Sequence, residues 1–177
     1  MCIRDRAGGG QLAEFARNAG RVVAVDPDAA ALGALAARLR ELGLADKFTT
    51  IEADLLDVQP RGDVVLFEFC LHQMADPARA LEHAARLAPD VVVIDHAPRS
   101  PWSWAAAEED AVEAGWRAVS RRPVRRLLDV EAVQRFDDYA ALEARLAFRG
   151  PKCLERLGRY RRDGPIAIPM PYRLALL

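Results

Sequence analysis

Three glycines and one acidic residue near the start of the chain have the types and spacing of a nucleotide site. Gly8, Gly9 and Gly10 stand directly before a stretch with helical apolar spacing, and Asp26 ends the apolar run that follows. Glycines before a helix let the backbone approach a ligand closely and point amide N–H groups at it. A carboxylate at the end of the next strand can accept hydrogen bonds from ribose hydroxyls. The four residues therefore predict a site for an adenosine-containing ligand.

Polar side chains also end the later apolar runs of the sequence. Asp54, His72 and the adjacent Asp95 and His96 each fall at the end of a predicted strand. An imidazole, with an ordinary pKa near ~6.5, can exchange a proton near neutral pH. His72 and His96 are therefore candidate general bases, whereas His83 falls within a predicted helix and is expected at the surface.

These residues are positioned by apolar runs of strand length that alternate with helical stretches. Strands are expected over 21–26, 48–53, 63–74 and 89–98, and helices are expected to begin at Pro27–Asp28 and Asp76–Pro77. This alternation predicts an α/β fold with a Rossmann-like, doubly wound, mostly parallel sheet and helices on both faces. Ligands of such sheets bind at the carboxyl ends of the strands. The polar residues above are thus expected along one edge.

The pattern changes after Pro98. One helix is expected over 102–119 and a second over the sequence RFDDYAALEARLAFRG, with Gly150 as its end. The last stretch, 164–177, contains three prolines, and its pattern predicts an interrupted strand. Such a strand suits the edge of a sheet better than its interior.

The glycine loop alone leaves two cofactor classes open. GGGQLA fits the dinucleotide pattern G-x-G-x-x-A, and it equally fits the end of the G-x-G-x-G loop of methyltransferases. The downstream segments IEADLLDV and FCLHQMADPARALEHAARLAPDVVVIDH decide between them. In content and order, residues 7–96 resemble the class I S-adenosylmethionine-dependent methyltransferases.

The resemblance implies a role for each matched residue. The glycine loop of Gly8, Gly9 and Gly10 would pass beneath the methionyl part of S-adenosyl-L-methionine, and Asp26, followed by Pro27, would hold the ribose. The remaining cofactor contacts implied are Asp54 and Leu55 beside the adenine, and Phe69, Cys70 and Leu71 on the far side. No metal is implied. Because the cofactor carries an activated methyl group, the protein mainly aligns donor and acceptor.

The segment MCIRDR departs from the family pattern. A hydrophobic first strand should precede the glycines, and Arg6 stands where the family has its first glycine. We therefore expect residues 1–6 to be a non-native leader, the first strand to be missing, and the domain to be N-terminally truncated. Residues 7–177 are expected to form one domain, with a cofactor half over 7–96 and a substrate half over 97–177.

The composition limits the classes of partner that the protein is expected to bind. The net charge is −1, so no overall basic field favours nucleic acid. No apolar stretch reaches the ~18 residues of a membrane span, and three scattered cysteines suit the reducing cytoplasm. The acceptor is therefore expected to be a small molecule, and no sequence signal sets the oligomeric state. The alternatives are a nicotinamide-dependent oxidoreductase and a degenerate, non-catalytic domain.

Overall fold

The computed structural model describes residues 2–3 and 18–177, and it contains a large and a small β-sheet within this part of the chain. The strands are β1 (Cys2–Ile3), β2 (Val22–Asp26), β3 (Phe48–Glu52), β4 (Val64–Glu68), β5 (Asp90–His96), β6 (Arg126–Val130), β7 (Val133–Phe136), β8 (Ile166–Pro169) and β9 (Tyr172–Leu176). The helices are α1 (Ala29–Glu41), α2 (Pro77–Leu87), α3 (Pro101–Ala105), α4 (Glu109–Val119), α5 (Tyr139–Leu146) and α6 (Pro151–Leu157).

The large sheet has the order β3-β2-β1-β4-β5-β9-β6. Strands β1 to β5 are parallel, and β9 runs antiparallel to both β5 and β6. The crossovers β2–α1–β3 and β4–α2–β5 move in opposite directions from β1, so right-handed connections place α1 and α2 on opposite faces. The predicted doubly wound, mostly parallel sheet is thus confirmed.

The first strand was expected to be missing, and the structure corrects this. Cys2 and Ile3 form a two-residue strand at the centre of the sheet, where Cys2 is paired with both Val25 and Phe67. These are two of the three apolar residues that precede the charged positions of MCIRDR. They supply backbone hydrogen-bonding groups between β2 and β4, which would otherwise face each other across a gap.

Local signals explain where the helices begin and end. Asp28 caps α1 by accepting the amide hydrogens of Ala30 and Ala31, and Gly43 takes a φ of +67° after the helix ends. Asp76 caps α2 in the same way, and Pro77 occupies its first turn. None of the helices in the described part is long and apolar enough to cross a membrane.

Each face of the sheet has its own core. On one side, α1 packs Leu32, Leu35 and Leu39 against Ala24. On the other side, α2 and α4 enclose a larger cluster around the fully buried Phe67. His83 of α2 is part of this buried region, contrary to the expected surface position: its Nε2 lies 2.8 Å from the carbonyl oxygen of Val58, which satisfies the buried ring.

Residues 131–171 form an insertion between β6 and β9, which we name the cap. It consists of the β7–β8 sheet, α5 and α6, and it encloses a second apolar core. The members of that core are Trp102, Ala105, Ala106, Leu142, Leu146, Cys153, Leu157, Ile166 and Ile168.

Two predictions about the C-terminal half were wrong in detail. The single helix over 102–119 is broken into α3 and α4, because Ala107 adopts a φ of +59°. The final strand β9 lies inside the sheet between β5 and β6, since its prolines fall before Tyr172 and leave the strand free to pair on both sides.

Candidate active site

A buried carboxylate, Asp95, organises the carboxyl ends of β4 and β5. Its Oδ1 accepts the amide hydrogen of His96 at 2.8 Å and lies 2.6 Å from Nδ1 of His72. Its Oδ2 accepts the amide hydrogen of His72 at 3.1 Å. Two backbone amides thus donate to this carboxylate, and one imidazole nitrogen lies against it. The structure thus brings together the two histidines identified as candidate bases.

His96 differs from His72 in its hydrogen bonding. Its backbone carbonyl accepts a hydrogen bond from Nε1 of Trp116 at 2.6 Å, while no described residue bonds its Nδ1. Burial lowers the pKa of His96 from 6.5 to about 4, against the opposing effect of Asp95, and the proximity of His72 and of Arg149 lowers this pKa further. The ring is therefore neutral at pH 7.

Aromatic rings line the histidines. The ring centroid of His96 lies 4.9 Å from that of Phe69 and 5.5 Å from that of His72. Tyr172 meets Phe69 edge-on at 5.7 Å. Phe69 adopts a φ of +49°, a conformation that bulky residues rarely take, and its amide donates to the carbonyl oxygen of Ile94 at 2.7 Å. Such backbone strain is typical of functional sites.

Two charged residues of this site were not identified from the sequence. Oε1 of Glu108, in the loop between α3 and α4, lies 3.4 Å from Nε2 of His72. Arg149 extends from the cap and forms an ion pair with the same carboxylate. No local sequence pattern marks either residue as part of a site, because the α3–α4 break and the cap position both depend on tertiary packing.

A second group of polar residues lies nearer the middle of the sheet. Asp26 and Glu68 end β2 and β4, the strands on either side of β1, and both are buried. Oδ1 of Asp26 accepts the amide hydrogen of Asp28 at 2.8 Å. Glu68 was also missed, although an acid inside the apolar run VVLFEF could have identified it.

The other predicted cofactor residues follow the same strand ends. Asp54 is exposed beyond β3, where it caps a short turn by accepting the amide hydrogen of Leu56, and Leu55 is buried beside it. Pro27 is exposed after β2, and Cys70 and Leu71 are buried after β4. Gly8, Gly9 and Gly10 lie outside the described residues. Among the residues described, no group of three or more His, Cys, Asp and Glu is arranged to hold a metal ion.

Comparisons with known proteins agree with this arrangement. Residues 7–92, a little under half of the chain, match the family model of a methyltransferase domain. No curated protein matches the sequence.

Solved structures share the fold at low sequence identity. A protein of Bacillus halodurans C-125 that is assigned to the methyltransferases matches with a TM-score of 0.68 and 14% identity, over 96% of this chain and 87% of that one. The YcgJ protein of Bacillus subtilis gives a TM-score of 0.65 and 12% identity, with the same coverage of 96% and 87%. The SAM-dependent O-methyltransferase of Thermotoga maritima gives 0.56 and 12%, over 98% of this chain and 57% of that one.

Residues 7–92 are thus similar to a methyltransferase domain, and the chain has the class I methyltransferase fold. The methyltransferase-domain match implies S-adenosyl-L-methionine as the cofactor. The nicotinamide-dependent and degenerate alternatives are not favoured by these matches.

Proposed function

We propose that the protein transfers a methyl group to a small-molecule acceptor at the carboxyl edge of the sheet, with His96 or His72 as the proton acceptor. The observation that carries the proposal is the buried Asp95–His72–His96 cluster. It lies at the ends of β4 and β5, next to the Glu68 carboxylate of β4 and three strands from β2, which Asp26 ends. The chain divides accordingly into a cofactor half, 7–96, and a substrate half, 97–177.

The residues along β2, β3 and β4 fit an adenosine-containing cofactor. Asp26 is a buried carboxylate at a strand end, where ribose hydroxyls could donate to it. Asp54 and Leu55 offer an exposed acid beside an apolar surface for the adenine, and Phe69, Cys70 and Leu71 form the opposite wall. By family resemblance, the remaining cofactor-binding residues are Pro27 and the loop of Gly8, Gly9 and Gly10. When bound, the cofactor supplies a methyl group activated on a sulfonium.

His96 is the better placed of the two histidines to take a proton. Its ring is neutral at pH 7, and its Nδ1 has no hydrogen-bond partner among the described residues. A hydroxyl oxygen becomes strongly acidic as it gains a methyl group, so even a base with a pKa of about 4 can remove its proton. His72, whose Nδ1 is held by Asp95, is the second candidate.

A small acceptor agrees with the surroundings of the site. The cap reaches the histidine cluster through Arg149, and the aromatic rings of Phe69 and Tyr172 lie beside it. The net charge of −1 gives no overall attraction for nucleic acid or for an anionic membrane. We also propose a cytoplasmic location, from the scattered cysteines.

A methyl-transfer assay on a panel of small hydroxyl and amine acceptors, with bulk tRNA alongside, tests the proposal. We expect transfer to a hydroxyl compound, and a loss of about 10²- to 10⁴-fold in kcat for His96→Gln. The matched control is His83→Gln, whose amide can still donate to Val58, and its kcat should equal that of the wild type. Transfer to tRNA alone would contradict the small-molecule acceptor, and an unchanged kcat in His96→Gln would exclude the role of His96.

A further inference from the structure

The carboxylate of Glu108 lies between the imidazole of His72 and the guanidinium of Arg149. His72 lies on one side, with Nε2 3.4 Å from Oε1, and Arg149 of the cap lies on the other. The side chain of His72 is 2% exposed and that of Glu108 is 12% exposed, so water screens the Glu108–Arg149 ion pair little. A carboxylate oxygen faces each ring nitrogen of His72: Oδ1 of Asp95 lies against Nδ1, and Oε1 of Glu108 lies against Nε2.

Glu108 lies at the N-cap position of α4 but does not cap this helix with its side chain. It is the residue before α4, where a side chain normally caps the first turn, but its carboxylate forms no capping hydrogen bond. Its Oε2 is buried and has no hydrogen-bond partner among the described residues. The preceding residue, Ala107, adopts a φ of +59°, which is strained for a residue with a Cβ. The chain therefore holds an incompletely satisfied carboxylate inside this site.

We propose that the space between His72 and Arg149 is a carboxylate-binding site for the methyl acceptor, which the side chain of Glu108 fills in the unliganded protein. This inference rests on the proposed function, since it names the class of its acceptor. Exchange of one carboxylate for another leaves the charge of the buried cluster unchanged, whereas a neutral ligand that displaced Glu108 would leave the Arg149 guanidinium uncompensated. The acceptor is therefore a molecule that carries a carboxylate.

The neighbouring side chains indicate what is attached to that carboxylate. The ring centroid of His96 lies 5.5 Å from that of His72 and 4.9 Å from that of Phe69. The ring centroid of Phe69 lies 5.7 Å from that of Tyr172. Such rings pack favourably against a planar, apolar body. Sodium benzoate is accordingly a suitable probe, and benzyl alcohol is its neutral counterpart.

Removal of the Glu108 carboxylate should open the site. Glu108→Ser is the variant of choice because serine is a favoured N-cap residue, so the substitution should not weaken the first turn of α4. We expect benzoate to bind this variant at least tenfold more tightly than the wild type, measured by calorimetry on the cofactor-free protein. Benzoate should also raise the Tm of the variant, because it replaces the missing negative charge.

Three controls make the result specific. The double variant Glu108→Ser, Arg149→Met should bind benzoate no more tightly than the wild type. Benzyl alcohol should bind Glu108→Ser and the wild type equally. Glu113→Gln, at an exposed position of α4, should bind benzoate as the wild type does. A ring ¹⁵N resonance of His72 that moves with benzoate in Glu108→Ser would place the anion beside Nε2.

Equal benzoate affinity in wild type and Glu108→Ser, or an equal gain with benzyl alcohol, would overturn the inference. Should Glu108→Ser fail to fold, Glu108→Asp, which withdraws the carboxylate by one methylene, is measured instead and should show a smaller gain. A separate titration with S-adenosylhomocysteine tells a failure of the proposed function from a failure of this site, because benzoate binding needs no cofactor.

Discussion

At the scale of single residues, the two histidines show how environment separates identical side chains. Asp95 bonds the ring of His72 but only the backbone amide of His96, although both lie beside the same carboxylate. The ring of His96 is left in an aromatic and cationic environment, with Phe69 and Arg149 as neighbours, and burial keeps it neutral. Different roles for paired titratable groups arise in this way.

The depressed pKa of His96 makes stability depend on pH. Between pH 6.5 and about pH 4 the unfolded chain binds a proton at this imidazole while the folded chain does not, so the free energy of unfolding falls as the pH falls. A shift of this size corresponds to about 3 kcal/mol by pH 4.

Urea unfolding of the wild type and His96→Gln at pH 7 and pH 4 measures this contribution. The wild type should lose about 3 kcal/mol more than the variant over this interval, since the carboxylates titrate in both proteins and cancel in the difference. Equal losses in the two proteins would show that the ring of His96 titrates alike in the folded and unfolded chains.

At the scale of elements, α4 packs against the short turn Leu71–Gln73, which we call the His72 turn. Gly115 of α4 passes close to this turn: a Cβ on Gly115 would lie 3.6 Å from the backbone nitrogen of His72 and 3.9 Å from the carbonyl carbon of Leu71. These are ordinary contact distances, so there is room for one methyl group and for little more.

Substitutions of Gly115 test this packing. Gly115→Ala should raise the free energy of unfolding by up to about 1 kcal/mol, because alanine has the higher helix propensity and its Cβ fits. Gly115→Leu should lower it by about 1–3 kcal/mol, because the larger side chain forces the His72 turn away from α4. Urea unfolding gives both values. A destabilised Gly115→Ala, or a Gly115→Leu as stable as the wild type, would mean that the spacing between these elements differs from that described.

The elements predicted correctly from the sequence are those whose structural signals lie within their own residues. The strand over 21–26, its following helix and the cap residue Asp28 all carry their own apolar period and turn signals, and each was predicted close to its observed bounds. By contrast, β6 and β7 were missed. They are short, their side chains are largely exposed, and their partners β9 and β8 come more than thirty residues later in the chain.

At the scale of the whole molecule, the parallel half of the sheet and the polar residues along its edge followed from the sequence, because parallel strands place their carboxyl ends together. Glu108 and Arg149 did not follow, since only tertiary packing brings the α3–α4 loop and the cap to His72. The central two-residue strand Cys2–Ile3 was not expected either, because so short an apolar pair carries no strand signal of its own.

The central claim, that the chain binds S-adenosylmethionine through Asp26, is tested most directly by isothermal titration with S-adenosylhomocysteine. The chain and its Arg6→Gly variant should bind it, the variant more tightly, and neither should bind NAD. Asp26→Asn should weaken binding by about 10- to 100-fold through the loss of charged hydrogen bonds, whereas Asp46→Asn, at an exposed position, should leave it unchanged. Binding of NAD with no binding of S-adenosylhomocysteine by either chain would contradict the account.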